Sequence, residues 1–251
     1  MAQSIQGKIA LITGGAVRIG RATALALAAE GTHIIVHYNR SGEDAEALAE
    51  ELRSLGIRAW PLQADFSRRE EYETLIERAL ETAGGLDILV NNASIFPRET
   101  LDSVTIESVM ENLEVNAWTP FALGRAFASA VGRGAIVNLL DSRLDGYDWT
   151  HVGYFFSKQV LELMTRMMAL KFAPSVTVNA VAPGLILPPP GEDESYIDKL
   201  IYTVPLKEHG QPEDIADAIV FLAKSRYCTG EVIYVDGGRH LVEYSRSTPP
   251  L

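Results

Sequence analysis

The chain alternates short aliphatic or β-branched runs with longer amphipathic stretches along most of its length. Runs with strand character occupy residues 8–13, 33–38, 59–63, 87–90, 135–140, 175–182 and 231–235. Several are almost wholly apolar, which is typical of parallel strands covered on both faces. Helix-length segments lie between them at 19–30, 43–55, 69–83, 104–130, 152–172 and 212–224. This order predicts an α/β protein of the Rossmann type, with a doubly wound, seven-stranded parallel sheet and helices on both faces.

Length and composition limit the classes of protein that this chain can form. Its 251 residues suit a single domain over 1–251, and 47% hydrophobic with 22% charged residues excludes a disordered or fibrous protein. No apolar run approaches the roughly 18 residues of a membrane span, and the first residues show no secretory leader, so we expect a cytoplasmic protein with no membrane partner. A lone cysteine, Cys228, and histidines without ligand spacing predict no metal site.

The net charge of −11 argues against nucleic acid as a partner, because binding to phosphate backbones relies on clustered Lys and Arg. A small anionic ligand stays compatible with it, since fields are screened within about 8 Å at physiological salt and only local cations count.

A glycine-rich loop, TGGAVRIG at 13–20, joins the first predicted strand to the first helix. Glycines there allow a tight turn and close approach of the backbone to a pyrophosphate, which the helix N-terminus attracts. The loop predicts a dinucleotide site, with Gly14, Arg18, Ile19 and Gly20 as contacts. Arg18 stands where such loops usually carry glycine, and its guanidinium can reach phosphate oxygens or a ligand beside them.

The end of the second strand predicts which dinucleotide binds. It reads Tyr38-Asn39-Arg40-Ser41, and no acidic residue stands there to bind a ribose 2′-hydroxyl, as NAD enzymes require. Arg40 and the Ser41 hydroxyl suit a 2′-phosphate instead. We therefore predict NADPH/NADP⁺ as the cofactor.

Further motifs along the whole chain resemble those of the short-chain dehydrogenase/reductase family. They are Asp65, the NNAS sequence at 91–94 in place of NNAG, Asn116, YxxxK from Tyr154 to Lys158, Pro183-Gly184 and the VDGG sequence at 235–238. The resemblance implies cofactor contacts from Asp65, Phe66, Asn92, Ala93, Ser94, Tyr154, Lys158, Pro183 and Gly184. It also implies catalytic roles for Tyr154, Lys158 and Asn116, the last in a proton relay.

The spacing of Tyr154 and Lys158 supports a joint role independently of the resemblance, because residues four apart lie on one face of a helix. A nearby ammonium favours tyrosinate, so we expect Lys158 to lower the pKa of the phenol from about 10. A phenol tuned toward neutrality is a usable general acid.

Asp141 is where the chain departs from most of the family, which places a serine thirteen residues before the tyrosine. A carboxylate within about 4 Å would oppose the negative charge that forms on a reduced carbonyl by roughly 1–4 kcal/mol. A substrate ring that carries N–H donors reverses the sign, because Asp141 then accepts a hydrogen bond. Ser142 is one residue away and would point to the opposite face of the strand end. Asp141 therefore favours reduction of a C=N bond in a nitrogen heterocycle.

The same substitution occurs in the pteridine reductase branch of the family, including its bacterial dihydromonapterin and dihydrofolate reductases. Arg18, the HYxRS sequence at 37–41, NNAS and an aromatic residue after it, Phe96, also match that branch. This resemblance implies NADPH-dependent reduction of a dihydropterin, such as dihydromonapterin, dihydrofolate or dihydrobiopterin, to the tetrahydro form. The implied substrate contacts are Arg18, Ser94, Phe96, Asp141, Tyr154 and Leu185.

Two segments and the assembly complete the expectations. The segment 184–203 is long for a strand–helix connection and is predicted to be a substrate loop, and 244–251 to be a flexible tail. Arg143 and Trp149 lie between Asp141 and Tyr154, within reach of a substrate's tail. The helix at 152–172 is apolar on more than one face, and the family resemblance implies a homotetramer.

Two alternatives stay open. One is an NADPH-dependent ketoreductase that acts on a 3-oxoacyl or similar carbonyl substrate. The other is a catalytically silent NADPH-binding regulatory protein, although Tyr154 and Lys158 are both present.

Overall fold

The computed structural model describes residues 3–189 and 191–242. Its seven strands form one parallel sheet in the order β3-β2-β1-β4-β5-β6-β7. They are β1 (Ile9–Ile12), β2 (His33–Tyr38), β3 (Ala59–Gln63), β4 (Ile88–Asn91), β5 (Gly134–Leu139), β6 (Val176–Pro183) and β7 (Val232–Val235). The predicted fold class is confirmed, and the strand order reverses between β1 and β4, where such sheets bind ligands. The predicted tail at 244–251 lies outside the described residues.

The helices follow the predicted segments with small shifts at their ends. They are α1 (Arg18–Ala29), α2 (Gly42–Ser54), α3 (Arg69–Glu73), α4 (Leu75–Ala83), α5 (Ile106–Leu113), α6 (Thr119–Ala130), α7 (Val152–Phe172), α8 (Glu194–Asp198) and α9 (Pro212–Lys224). Short 3₁₀ turns occupy Ser142–Asp145, Ile201–Thr203 and Arg239–Leu241. The helix α8 inside the predicted substrate loop is an element that the sequence did not indicate.

The sheet carries a hydrophobic layer on each face because side chains alternate along a strand. On β1, Ala10 and Ile12 face the layer formed with α1, α2 and α9. Ile9 and Leu11 face the opposite layer, formed with α3, α4, α6 and part of α7. The near-continuous apolar strands of the sequence are therefore buried on both sides.

Two predicted helices are interrupted. Thr74 separates α3 from α4, and its hydroxyl donates to the carbonyl of Glu70, a back-bond that disturbs a helix. A π turn at Glu114–Trp118 separates α5 from α6. Pro120 follows it and has no N–H to give the carbonyl four residues earlier, at Asn116, so the regular helical pattern cannot run through this point.

Part of α7 is exposed despite its apolar character. Leu163, Met167 and Leu170 are 61%, 58% and 85% exposed. The homotetramer prediction drew on this apolar surface of the helix, and the assembly stays a prediction. No helix in the described part of the chain is long and apolar enough to cross a membrane.

A buried chain of amides joins the carboxyl ends of β4 and β5 to α7. Asn91 Nδ2 donates to Asn138 Oδ1 at 2.8 Å, and Asn138 Nδ2 donates to Thr165 Oγ1 at 2.8 Å. All three side chains are buried. Since β4 and β5 lead directly into Asn92–Ser94 and Asp141, this network fixes the strand ends that carry predicted site residues.

We expect Asn138→Ala to lower the free energy of unfolding by about 1–3 kcal/mol, because it leaves buried partners without hydrogen bonds. Urea unfolding measures the loss. Thr165→Val and the double variant complete a cycle, and a coupling free energy near zero would contradict the network.

Candidate active site

A cavity of about 690 Å³ lies at the carboxyl edge of the sheet. Many of the predicted site residues line it: Gly14, Arg18, Ile19, Gly20, Asn39, Phe66, Asn92, Ala93, Ser94, Phe96, Asp141, Tyr154, Gly184 and Leu185. Other predicted residues are not part of this lining: Tyr38, Arg40, Ser41, Asp65, Asn116, Lys158 and Pro183. No group of three or more potential metal ligands occurs among the described residues.

The glycine-rich loop has the geometry of a dinucleotide cradle. A Cβ at Gly20 would collide with the Gly14 carbonyl, so only glycine fits there. Arg18 adopts a left-handed conformation with φ of 55°, which costs a non-glycine residue free energy and explains the glycine usual at this position. The first turn of α1 has no side-chain cap and no acidic residue, so its N–H groups are available to a phosphate.

His37 holds this loop from the second strand. Its Nδ1 accepts a hydrogen bond from the Gly14 N–H at 3.0 Å, and its Nε2 lies 3.1 Å from the Ala64 carbonyl. Burial lowers the pKa of His37 to about 4. The neutral ring therefore accepts at one nitrogen and donates at the other, while it stacks on Phe66 at 4.5 Å between centroids.

The predicted 2′-phosphate residues lie at the rim next to β2. Arg40 is exposed. Asn39 Nδ2 donates to Asp65 Oδ1 at 3.3 Å, and Ser67 donates to the same carboxylate from its N–H and its hydroxyl. These Ser67 hydrogen bonds, with smaller contributions from Arg40 and Arg68, lower the pKa of Asp65. Asp65 is thus an ionised group just after β3, and its contact with the cofactor stays a prediction.

Asn92 and Asn116 brace the segment between β4 and α5. Asn92 Nδ2 donates to the carbonyls of Thr13 and Gly14. Asn116 Oδ1 accepts from the Ser94 hydroxyl and the Ile95 N–H. The Asn116 side chain has no hydrogen bond to Tyr154 or Lys158 among the described residues, so its place in a proton relay stays a prediction.

Asp141, Tyr154 and Lys158 meet at one wall of the cavity. Tyr154 Oη donates to Asp141 Oδ2 at 3.2 Å. Lys158 Nζ donates to the Leu139 carbonyl at 2.7 Å and lies 5.4 Å from the centre of the Tyr154 ring. Ser142 is buried outside the cavity lining, and its Oγ has no partner within the described chain. The carboxylate, and not the neighbouring hydroxyl, thus faces the phenol.

Asp141 is not the isolated anion that the sequence suggested. Arg143 donates from its backbone N–H and Nε to Asp141 Oδ1, both at 2.9 Å, and from a terminal nitrogen to Oδ2 at 2.8 Å. With the Tyr154 hydroxyl, these bonds fill the four acceptor positions of the carboxylate. A substrate N–H therefore needs one of these donors to move before it can bind Asp141.

This arrangement corrects the expected pKa of Tyr154. Burial raises it well above its usual value, and Asp141 raises it further against the opposing charge of Arg143. Burial also lowers the pKa of Lys158 to about 8. Burial opposes ionisation of Asp141, but the charge and hydrogen bonds of Arg143 outweigh it and lower the pKa of Asp141. The expected lowering of the Tyr154 pKa is therefore wrong for the protein without ligand, because desolvation of the phenolate dominates.

Two residues that the sequence did not single out extend the network. A second terminal nitrogen of Arg143 donates to Asp148 Oδ2, and the same oxygen lies 3.0 Å from His151 Nδ1. The His151 ring stacks on Phe96 at 3.8 Å between centroids, and Phe96 meets Tyr154 edge to face at 4.6 Å. Asp148 and His151 reach Arg143 and Phe96 only through the conformation of their loop, so the spacing of these residues in the sequence does not indicate the contacts.

The predicted substrate loop covers the cavity. Leu185 packs with Ile197 and Val204 in a small cluster of its own, and the loop adds Leu187, Pro189, Tyr196 and Leu200 to the lining. A terminal nitrogen of Arg18 donates to the Pro188 carbonyl at 2.6 Å. Arg18 therefore joins the glycine loop to this segment. Pro190 lies outside the described residues.

Residues 15–240 match the family model described as "Enoyl-(Acyl carrier protein) reductase". The chain belongs to the short-chain dehydrogenase/reductase family. It is 34% identical over 247 residues to "Granaticin polyketide synthase putative ketoacyl reductase 2" of Streptomyces violaceoruber, which covers 94% of this chain and 98% of that relative. It is 32% identical over 242 residues to the "3-oxoacyl-[acyl-carrier-protein] reductase FabG" of Staphylococcus epidermidis, covering 93% of this chain and 99% of the relative.

Solved structures give a second set of similar proteins. The "FolM Alternative dihydrofolate reductase 1" of Brucella canis, in complex with NADP, superposes with a TM-score of 0.91 at 29% identity and covers 98% of this chain and 99% of its own. A "blue fluorescent protein from metagenomic library in complex with NADPH" superposes with a TM-score of 0.88 at 33% identity, over 94% of this chain and 99% of its own. The names of the two sequence relatives refer to ketoacyl substrates, whereas the name of the Brucella canis structure refers to dihydrofolate.

We expect Arg143→Gln to destabilise the protein by about 3–5 kcal/mol near pH 7, because it leaves two buried carboxylates without their cation. In the native protein the pKa of Asp141 is lowered, so its contribution is present at neutral pH and is lost as the pH falls through that pKa. In the variant burial is left to raise that pKa, so the deficit relative to the native protein shrinks as the pH falls from 7 toward 4.5. Denaturant unfolding across this range measures it.

Arg166→Gln is the matched control, since Arg166 is 62% exposed and pairs with Glu162 at the surface. A deficit for Arg143→Gln that does not change with pH would contradict the ion-pair account.

Proposed function

We propose that this chain catalyses NADPH-dependent reduction of a dihydropterin to its tetrahydro form, with hydride added to a C=N bond of the pyrazine ring. The observation that carries the proposal is the Asp141 carboxylate bound to the Tyr154 hydroxyl in the cavity wall, where a ketoreductase of this family has serine. The likeness to the Brucella dihydrofolate reductases supports the same substrate class.

The residues present fit an NADP cofactor. The glycine cradle, the free N-terminus of α1 and an exposed arginine, Arg40, at the end of β2 suit a pyrophosphate and a 2′-phosphate. Structural neighbours in complex with NADP or NADPH support this choice. Such a cofactor, when bound, supplies the hydride, and the chain supplies position and a proton.

Tyr154 is the proton donor in this proposal. Its raised pKa keeps the phenol protonated at neutral pH, so the proton is present before the substrate binds. The hydroxyl turns from Asp141 toward the ring nitrogen that gains a proton. Lys158 carries a charge below pH 8 and lies against the phenol ring, where it stabilises the phenolate that the transfer leaves.

The rotation of the Tyr154 hydroxyl resolves the crowding at Asp141. When that hydroxyl turns to the substrate, the position that it leaves on Oδ2 can accept an N–H from the same ring. A pterin carries both N–H donors and nitrogen acceptors, so it satisfies both groups together. A ketone oxygen carries acceptor lone pairs only and leaves that position on Asp141 Oδ2 without a donor, which costs about 1–3 kcal/mol or more for a charged group.

A ketoreductase is the second candidate, because the curated relatives named above are ketoacyl reductases. Arg143 also weakens the electrostatic objection to an alkoxide, since it offsets the charge of Asp141. In this alternative Tyr154 protonates a carbonyl oxygen without the second donor that serine provides.

Replacing Asp141 with serine separates the two candidates. We expect Asp141→Ser to lose at least about tenfold in kcat/KM for dihydrofolate, since the substrate N–H loses its acceptor. The same change should raise a low activity toward a 3-oxo ester. Absorbance of NADPH with both substrates measures the two rates.

Ser142→Ala is the control, because Ser142 adjoins Asp141 but its side chain lies outside the cavity lining. Unchanged pterin turnover in Asp141→Ser, or a native enzyme that reduces only the 3-oxo ester, would overturn the pterin proposal.

Removing the phenolic hydroxyl tests the proton donor. Tyr154→Phe should lower kcat by about 10²-fold or more, while the Kd for NADPH stays within about twofold, because the ring and its packing remain. Stopped-flow turnover and cofactor fluorescence give the two quantities. Tyr72→Phe removes another buried phenol, one that binds Glu114 and is not part of the cavity lining, and should leave kcat unchanged. Near-native turnover in Tyr154→Phe would exclude it as the donor.

A further inference from the structure

Arg239 occupies a rigid turn directly after β7. Its N–H donates to the Asp236 carbonyl at 3.1 Å, and the two preceding glycines have left-handed φ values of 62° and 83°. A Cβ at Gly237 would lie 2.6 Å from Val204, the residue directly after the substrate loop, so the turn packs tightly against the end of that loop. The side chain of Arg239 therefore starts from a backbone with little freedom to move.

The guanidinium of Arg239 has no hydrogen-bond or ion-pair partner among the residues that the structure describes. The residue is only 8% exposed, its Nε is buried without a hydrogen bond, and no acidic group within the described residues forms an ion pair with it. A buried, unpaired cation is costly, and proteins normally give such a group a counter-ion. Arg239 nevertheless lines the cavity that holds Asp141 and Tyr154.

The other charged groups of the cavity wall are already committed. Arg143 is held between Asp141 and Asp148. Arg18 donates to the Pro188 carbonyl at the end of the cavity formed by the glycine-rich loop. In a protein with a net charge of −11, the lining residues that the structure describes include three arginines and one acidic residue, Asp141. Within the described lining, Arg239 is the cation left for a ligand.

Arg239 lies at the end of the cavity that holds Asp141. Arg239 is close enough to Asp141 to help lower the pKa of that carboxyl group. The residues at 38–41 and the N-terminus of α1, which suit the cofactor phosphates, belong to the first two strand–helix units, whereas Arg239 follows the last strand. An anion bound by Arg239 would thus belong to the substrate.

We propose that Arg239 is a substrate-binding, specificity-determining residue that binds a carboxylate carried close to the reacting bond of the substrate. The planar guanidinium fits a carboxylate with two parallel hydrogen bonds, and burial strengthens them. For the substrate class this inference rests on the proposed function, where it selects a pterin with a carboxyl group near its reduced ring over one with a neutral side chain. The chemistry would be the same for a 3-oxo acid on the ketoreductase alternative.

A matched pair of ligands tests this without turnover. 6-Carboxypterin and 6-hydroxymethylpterin differ in charge at one position, and their fluorescence reports binding to the NADP⁺-saturated protein. We expect the native protein to bind 6-carboxypterin at least tenfold more tightly. Arg239→Gln should weaken that binding at least tenfold and change the Kd of 6-hydroxymethylpterin by less than twofold, and Arg239→Lys should fall between.

Arg226→Gln is the control variant, since it removes the same charge at an exposed site on the opposite edge of the sheet. It should change neither Kd. Because the native preference needs no variant, poor folding of Arg239→Gln would not prevent the test. Equal native affinity for the two pterins, equal weakening of both in the variant, or a loss confined to NADPH binding would overturn the inference.

A second experiment distinguishes failure of the pterin proposal from failure of the assignment of Arg239. The native protein and Arg239→Gln are assayed with 3-oxobutanoate and its ethyl ester. Reduction of the acid but of no pterin, with a selective loss on the acid in the variant, would overturn the pterin proposal and support Arg239 as the carboxylate site. Equally fast reduction of carboxylated and neutral pterins, in the native protein and in Arg239→Gln alike, would support the pterin proposal and overturn Arg239 as the carboxylate site.

Discussion

The ion pair between Asp141 and Arg143 is the constraint on which the rest of the site depends. It keeps a carboxylate ionised in a buried wall, holds the hydroxyl of Tyr154 and connects through Asp148 to the loop that positions Phe96. An ionised carboxyl without that guanidinium would face the full penalty of burial. The Tyr154 hydroxyl and the aromatic surface beside it are thus held in place by one pair of charges.

The parallel sheet explains why these groups meet. Each strand ends at the same edge, so the glycine loop after β1, the NNAS segment after β4, Asp141 after β5 and Arg239 after β7 are distant in sequence and adjacent in space. Buried amides fasten this edge from beneath, and His37 fixes the glycine loop from the neighbouring strand. The sheet fixes the positions of the strand ends, and the loops that follow them carry polar side chains of the cavity.

Family membership and substrate class depend on different parts of the molecule. The glycine loop, the tyrosine and the lysine are common to reductases of this fold, and curated ketoacyl reductases match the chain over nearly its whole length. We propose that the substrate class depends on a few residues of the cavity wall, in particular Asp141, Arg143 and Arg239. Overall similarity averages over all positions, so it carries little information about three side chains.

The sequence by itself determined the fold class, the strand order in the chain, the family and most of the residues around the cavity. It could do so because apolar periodicity and glycine positions report local backbone geometry, which neighbouring residues decide. Only the tertiary structure decided the charge state of the site. Burial and contacts between loops decide the partners of Asp141, the raised pKa of Tyr154 and the stacking of His151 on Phe96. They also leave Arg239 without a partner among the described residues. Such contacts leave no periodic trace, because each is made by side chains whose spacing along the chain has no fixed relation to their distance in the folded protein.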